Sequence, residues 1–286
     1  MKVSIVTINF NNREGLQKTI ESVVNQSYKG IDYIVVDGGS VDGSVDIIKQ
    51  YEESISYWVS EPDKGIYNAM NKGIAHASGD YCLFLNSGDS LHDSTVIENV
   101  ISLLVGDLVI GQVMIMPERR VAWADVIFPL TLYDFVEGGP VPHQGTFIKR
   151  TLFDEELYDE QYKIVSDWKF FMNQVVFKQC AVTPIQLTVS DFESGGISSD
   201  RYACDLEREA VLKELLPPAI YQDYQKFVYG ENYSGDTYDR FFSSLKKYNK
   251  RCARWVYAMV LSLVKVLSPL FKSLSFSQLY HLKDIK

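Results

Sequence analysis

Four short apolar runs, each closed by a polar turn and separated from the next by helical spacing, constrain this chain more than any other feature. Val3-Ser4-Ile5-Val6-Thr7-Ile8 is short and β-branched, a buried strand, and it ends at Asn9-Phe10-Asn11-Asn12. Leu16, Ile20, Val23 and Val24 then recur at helical spacing between Gly15 and Ser27. Ile31 to Val36 is a second run, closed by Asp37-Gly38-Gly39-Ser40, and Asp42-Gly43-Ser44 opens a helix through Ile47, Ile48 and Tyr51. Ile55 to Ser60 predicts a third strand and Asn68 to Ala77 a helix. Tyr81 to Leu85 predicts a fourth strand, ending in Asn86-Ser87-Gly88-Asp89. This rhythm predicts an α/β domain with a mostly parallel central sheet and crossover helices. Such sheets bind ligands beyond the carboxyl ends of their strands. Asn9, Asp37, the Asp63 region and Asp89 should therefore converge on one crevice.

After Asp89 the pattern changes. Ser94 to Leu104 reads as a helix, and Asp107 to Met116 with Arg119 to Ala124 as a strand pair around Pro117. Gly138-Gly139-Pro140-Val141-Pro142-His143-Gln144 is a rigid loop leading into a strand, Thr146 to Ile148. Ser166 to Phe177 reads as a helix, Ala181 to Val189 as a strand, and Asp191 to Asp200, with Gly195-Gly196 and three serines, as a mobile loop. Arg201 to Leu216 is a helix stopped by Pro217-Pro218. The expected organisation is one domain over 1–215, with a nucleotide-binding half (1–105) and an acceptor half (106–215). A helical extension over 216–286 follows, amphipathic and basic from 246.

Composition narrows the function. Of 286 residues 46% are apolar and 23% charged, which excludes a disordered chain. The net charge of −9 argues against a general nucleic-acid binder. That charge is uneven: from Phe241 to Lys286 nine bases face one acid, Asp284, whereas the first 240 residues carry 19 bases and 36 acids. A basic tail on an acidic body points to an anionic partner for the tail. Cys82, Cys180, Cys204 and Cys252 are too widely spaced for a CxxC or zinc pattern and read as reduced thiols. Met1-Lys2 runs straight into the first strand, so no signal peptide is expected and the chain is placed in the cytoplasm.

The turns narrow it further. A dinucleotide fold has its glycines after the first strand, where this chain has Asn9-Phe10-Asn11-Asn12, and a P-loop would need Gly-Lys-Ser/Thr. Asp37-Gly38-Gly39 taken alone is a tight turn with a helix cap. Asn86-Ser87-Gly88-Asp89 admits two readings. The aspartate either holds a divalent cation that bridges diphosphate oxygens, or serves as a turn residue or cap for the helix near Ser94.

Four stretches together resemble one family. They are Ser4 to Asn11, Val35 to Ser44, Asn71-Lys72-Gly73-Ile74-Ala75 with Gly79-Asp80, and Leu83-Phe84-Leu85-Asn86-Ser87-Gly88-Asp89. In that order and spacing they resemble family 2 glycosyltransferases, which have the GT-A fold and use nucleotide-sugar donors with inversion at the anomeric carbon. Ser60 to Ile74 is similar to the branch found in bacterial exopolysaccharide and O-antigen clusters, including colanic-acid-type transferases. The resemblance covers residues 1–90 closely, extends more weakly to about 200, and omits the tail.

The resemblance implies roles by position. Asp37 matches the aspartate that binds the nucleotide base, usually uracil, through a charge-assisted bond. Thr7 and Asn9 match the loop lining base and ribose. Asp63 and Lys64 lie where the family closes over the nucleotide, and the lysine would reach the diphosphate. Asn71 would brace a loop. Asn86 stands in place of the first aspartate of a DxD-type motif, which leaves Asp89 as the metal ligand for Mn2+ or Mg2+. Ser166-Asp167-Trp168 resembles the family's Glu-Asp-Trp/Tyr motif. Asp167 would then be the base that takes the acceptor's proton, and the alternative is a helix N-cap. His143-Gln144 matches a pair near the acceptor side, where His143 would stabilise the leaving phosphate or touch the acceptor sugar. A histidine bonded within a rigid loop is the other reading. His76 and His92 read as surface residues. An inverting transferase (EC 2.4) on a saccharide or lipid-linked acceptor is the leading reading. A nucleotidyltransferase-like enzyme and a catalytically inactive GT-A scaffold are the alternatives.

The tail carries a separate expectation. Trp255 to Val264 is apolar but half the length of a membrane span, interrupted by Lys265 and ended by Pro269. On a helix, Arg251, Arg254, Lys265 and Lys272 line one side of a broad apolar face. That pattern suits a helix lying in an anionic membrane interface, which would hold the enzyme peripherally on the inner face of the plasma membrane. The alternative is a helix that packs on the protein's own body or on a second subunit in a homo-oligomer.

Overall fold

The computed structural model describes residues 1–123 and 128–229. The amino-terminal half is β1 (Val3–Asn9), α1 (Arg13–Val24), β2 (Ile31–Asp37), α2 (Ser44–Gln50), β3 (Tyr57–Ser60), α3 (Ile66–His76) and β4 (Tyr81–Phe84). β1 pairs parallel with β2 and β4, and β2 parallel with β3. The register aligns Asn9 with Asp37 and Asp37 with Ser60, so three strands end level and their polar last residues stand side by side. β1 is buried along its whole length, as expected of a strand covered on both faces. Val3, Ile5, Leu16, Ile20 and Ile48 form the core on the side of α1 and α2. On the other side α3 lies so close to β1 that a side chain at Gly73 would collide with Val6.

The carboxyl-terminal half is β5 (Ser90–Leu91), α4 (Val96–Val100), β6 (Leu108–Met116), β7 (Arg120–Ala122), α5 (Leu132–Glu137), β8 (Thr146–Lys149), α6 (Ser166–Met172), β9 (Val182–Glu193) and α7 (Arg201–Leu215). The strands form one sheet in the order β3-β2-β1-β4-β8-β6-β9-β5, with β7 on β6. β8 runs antiparallel to both β4 and β6, while β6 and β9 are parallel. The parallel half therefore continues into a mixed half of one α/β sheet. The chain divides into two compact units, 1–215 and 216–286, and in the second α8 (Pro218–Tyr229) is described. Among the described residues no helix is long and apolar enough to cross a membrane, and Cys82, Cys180 and Cys204 are free thiols.

Several local expectations need correction. The helix expected over 94–104 is one α turn, Val96–Val100, tightened into a 3-10 turn at Ile101–Leu103. The helix expected over 166–177 ends at Met172 and widens into a π-turn over Asn173–Phe177. β9 runs on to Glu193, so the expected loop over 191–200 loses its first three residues to the sheet, where Asp191, Phe192 and Glu193 pair with β6. Pro218 begins a helix, where its missing N–H costs nothing. His76 is exposed, as expected, and stacks on Tyr57 with ring centroids 3.5 Å apart, whereas His92 is half-buried, its Nδ1 2.6 Å from Asp191 Oδ1. The amphipathic tail over 246–286 lies outside the described residues.

Candidate active site

A cleft of about 1070 Å³ opens at the carboxyl ends of β1 and β4. One wall is made of Asn9, Phe10 and Asp63, and the floor of Asn86-Ser87-Gly88-Asp89. The far wall is made of Pro142-His143, Asp167-Trp168 and the segment Phe192 to Ser198. The β1–β4 ladder continues past β4, with Leu85 N–H to Val6 O and Ser87 N–H to Ile8 O, so the Asn86–Asp89 turn is fixed to the end of β1. Gly88 has a φ of 109°, a left-handed backbone that glycine adopts without cost.

Asn9 and Asn86 share one property. Asn9 Nδ2 donates to Asp37 Oδ1 at 2.7 Å, but Asn9 Oδ1 is buried without a partner. Asn86 Nδ2 meets His143 Nε2 at 3.4 Å, and Asn86 Oδ1 is likewise buried and unpartnered. Buried polar atoms in folded proteins almost always have partners. Both residues line the cleft, and each keeps a side-chain oxygen that no protein donor satisfies.

Asp89 is 4% exposed, and its Oδ1 accepts from the Glu193 N–H at 3.2 Å. Burial pushes its carboxyl up to about 6, against the opposing pull of His143 and Lys18. It does not cap α4; Thr95 occupies that position, and Asp93 bonds the Thr95 N–H and hydroxyl. Lys18 Nζ donates to the Gly88 carbonyl at 2.8 Å and lies 3.7 Å from Glu193 Oε2. Among the described residues no three His, Cys, Asp or Glu side chains form a cluster that would hold a metal by themselves.

Asp167 lines the same cleft. It is the second residue of α6, whose N-cap is Val165, so the N-cap reading does not describe it. Its Oδ2 lies 2.9 Å from His143 Nδ1, and its Oδ1 accepts from the Trp168 N–H at 2.8 Å. The Tyr67 hydroxyl is 2.7 Å from both Asp167 Oδ1 and the Ile164 carbonyl, with one proton between them. Burial works to raise the Asp167 carboxyl, but the His143 bond and charge and the Tyr67 hydroxyl hold it below the usual carboxylate range. Burial works to lower His143, yet Asp167 and the more distant Asp89 charge raise it above the usual histidine range. With Nδ1–H donating to Asp167, the lone pair of His143 is on Nε2.

Two devices hold this pair in place. The Glu207 carboxylate on α7 accepts from three successive backbone N–H groups, Lys163, Ile164 and Val165, at 2.9, 2.9 and 3.2 Å, and so fixes the entry to α6. The buried Lys169 ties α6 to Asp159 Oδ2 at 2.6 Å and to Glu214 Oε1 at 2.7 Å. His143 sits in a tight turn after Pro140-Val141-Pro142 that Thr146 Oγ1 and Ser190 Oγ secure through the Pro142 and Gln144 carbonyls.

Asn9, Asp63, Asn86, Asp89, His143 and Asp167 all line the cleft, whereas Thr7, Asp37 and Lys64 do not. Thr7 is fully buried and bonds the Tyr33 hydroxyl at 3.1 Å, which turns it away from a base or ribose. Asp37 is also fully buried. Its Oδ1 accepts from Asn9 and Ser40 Oγ, and its Oδ2 from Ser60 Oγ and the Gly39 and Ser40 N–H groups. The Lys64 side chain is exposed, and Asn71 braces Tyr158 and Glu160. The sequence reading missed Tyr67, Glu207, Arg208 and the exposed Phe10, which reaches over Gly38 beside Asp63. Tyr67 sat inside the Ser60–Ile74 stretch, just before the expected helix, and was given no role; its carboxylate partner is one hundred positions away.

Known proteins resemble this chain in sequence and in fold. The family model described as glycosyl transferase family 2 matches residues 4–160. An uncharacterized glycosyltransferase of Mycobacterium tuberculosis is 36% identical over 205 residues, 70% of this chain and 78% of that one. A PGL/p-HBAD biosynthesis glycosyltransferase of Mycobacterium bovis is 28% identical over 205 residues, 68% of this chain and 78% of that one. Among solved structures, S. aureus TarS residues 1–349 in complex with UDP-GlcNAc superposes with a TM-score of 0.62 at 16% identity. That match covers 75% of this chain and 65% of the other, so this chain spans just under two thirds of its length. A mannosyltransferase from Pyrobaculum calidifontis in complex with GDP-Man and Mn2+ superposes with a TM-score of 0.61 at 14% identity, covering 92% of this chain and 80% of that one. At these identities the likeness is one of fold.

Proposed function

From the premise that the chain belongs to glycosyl transferase family 2, we propose that it moves a sugar from a nucleotide-sugar donor, a UDP-sugar, to a saccharide or lipid-linked acceptor with inversion, in the synthesis of a cell-surface polysaccharide of the exopolysaccharide or O-antigen type. The observation that carries this reading is the pair of orphaned acceptors, Asn9 Oδ1 and Asn86 Oδ1, in the same cleft as the His143–Asp167 pair.

In this reading the base lies against Phe10, Asn9 and Asp63. Asn9 Oδ1 takes an N–H of the base or a ribose hydroxyl. Asp37 acts from beneath, holding Asn9 and the Gly39–Ser40 turn in position. Lys64 is free to swing toward the diphosphate. Asp89 would be the protein carboxylate that holds Mn2+ or Mg2+, and the donor and water would have to supply the remaining oxygens. A bound cation supplies charge that offsets the departing nucleoside diphosphate. The orphaned acceptor beside Asp89 fits an oxygen-lined site, and a set this small needs the donor's own oxygens to complete it.

Inversion requires one base on the acceptor hydroxyl. Both oxygens of Asp167 are engaged, so Asp167 acts through His143: Nε2 takes the hydroxyl proton, and the carboxylate stabilises the imidazolium that results. Ser194 to Ser198 line the cleft mouth and close over the donor to keep water out. A nucleotidyltransferase would need a glycine-rich basic loop after β1, where this chain has Asn9-Phe10-Asn11-Asn12. An inactive scaffold would have no need to keep the His143–Asp167 pair.

A panel of sugar nucleotides tests the reading by release of nucleoside diphosphate. At least one UDP-sugar should be turned over with Mn2+ or Mg2+, and Asp167→Asn should abolish most of that turnover. Turnover of none, or full turnover by Asp167→Asn, would contradict it.

A further inference from the structure

Among the described residues, the side chain of Arg208, on α7, makes no hydrogen bond or ion pair. Its guanidinium carbon lies 5.5 Å from the centre of the Trp168 ring, and its Nη2 lies 3.8 Å from where a side chain on Gly139 would begin. Its Nε is buried and has no hydrogen-bond partner. Among the described residues no carboxylate pairs with it: the adjacent Glu207 is taken up by three backbone N–H groups, and Asp167 by His143, Tyr67 and Trp168. Arg208 nevertheless lines the cleft.

The platform beneath it is fixed. Trp168 is 6% exposed, and its Nε1–H is held between the Phe135 and Gly138 carbonyls at 3.0 and 3.1 Å. An arginine stacked on a fixed aromatic ring loses little freedom when it binds, and its planar fork of donors matches the two oxygens of a carboxylate or phosphate. Gly139 leaves the approach open, since any larger residue would grow toward the guanidinium.

Position decides which substrate this serves. The neighbours that bracket the Arg208 head, Gly139 and Trp168, follow residue 106, whereas Asn9, Asp63 and the Asn86–Asp89 turn precede residue 90. Trp168 is also next in sequence to Asp167. We propose that Arg208 on its Trp168 platform is a subsite for an oxyanion on the acceptor, a phosphate ester or a sugar carboxylate, so that this enzyme glycosylates an acidic or phosphate-bearing acceptor. The proposal rests on the transferase reading above and adds the chemical class of the acceptor.

The test uses the full chain with UDP and Mn2+ at saturation, which blocks the donor side. Three probes are titrated against tryptophan fluorescence, to which Trp168 contributes: glucose 1-phosphate, methyl glucuronide and the neutral methyl glucoside. At least one anionic probe should bind saturably and at least tenfold more tightly than methyl glucoside, and whichever does so identifies phosphate or carboxylate as the group. Arg208→Gln should weaken that probe at least tenfold with UDP affinity and Tm unchanged. If Arg208→Gln does not fold, Arg208→Lys makes the comparison: it keeps the charge, loses the fork, and should bind several-fold more weakly. Equal binding of charged and neutral probes, or equal binding by wild type and variant, overturns the proposal. So does an anionic probe that UDP displaces, because Arg208 then serves the donor's diphosphate. A wild-type protein that ignores UDP contradicts the transferase reading. Arg208-dependent binding of an anionic sugar without nucleotide would then support the subsite on its own.

Discussion

With both oxygens of Asp167 engaged, the atom of the pair proposed to meet a substrate is His143 Nε2, whose contact with Asn86 Nδ2 is long, at 3.4 Å. The pair therefore titrates as a unit, and the sign of its pH dependence follows. His143 works as a base only when neutral, and Asp167 raises its pKa above the ordinary 6.5. The acid limb of kcat/KM should lie above about 6.5. In Asp167→Asn it should move down, and turnover should fall by about 10²–10⁴-fold. A pH–rate profile of the two proteins checks both, and an unmoved limb would mean that His143 is not the titrating base. The sequence made Asp167 and His143 legible one at a time, through Ser166-Asp167-Trp168 and His143-Gln144. Their bond was not legible, because nothing in a spacing of 24 residues says that two loops meet. Asp37 shows the converse: an aspartate at a strand end reads as a ligand contact, and here five internal donors surround it.

Among the elements, α7 was expected only as a helix, yet Glu207 makes it the support of the turn that opens α6 beside Asp167. Hydrogen bonds to a charged group are each worth about 1.5–3 kcal/mol. Glu207→Gln keeps one acceptor oxygen and turns the other toward donors as an amide. It should lower Tm by several degrees and lower kcat about tenfold, by loosening Asp167, while donor KM changes little. Thermal unfolding together with steady-state kinetics separates this from a purely structural effect, which would lower Tm alone. The segment Ser194 to Ser199 should be cut by protease more slowly with UDP bound, and an equal rate would argue against closure over the donor. The parallel strands β1 to β4 were legible as a sheet with crossover helices because apolar runs alternate strictly with helices, but that alternation admits more than one strand order and did not give β3-β2-β1-β4. The mixed half was harder: β8 reverses between β4 and β6, and β9 runs past its apolar stretch into Asp191-Phe192-Glu193, where backbone pairing with β6 rather than apolar burial sets the end.

For the whole molecule, the contrast between an acidic body and a basic carboxyl-terminal stretch outlives every local correction. Residues 246–286, outside the described residues, should carry the chain to anionic liposomes at low salt and release it as salt screens the charge. Sedimentation that survives deletion of 246–286 would assign membrane binding elsewhere, and a chain that never sediments would leave the stretch to protein contacts. Every proposed step requires a nucleoside diphosphate to enter the cleft between Asn9 and Asp89 with a divalent cation. Calorimetric titration of UDP into the full chain, with and without Mn2+, measures this most directly. The account predicts saturable binding at one site, tightened by Mn2+ in the wild type and weakened at least tenfold in Asp89→Ala, with Tm in the absence of ligand changed far less. An Asp89→Ala protein that binds UDP and Mn2+ as tightly as the wild type, or a wild type that binds no UDP at all, would contradict it.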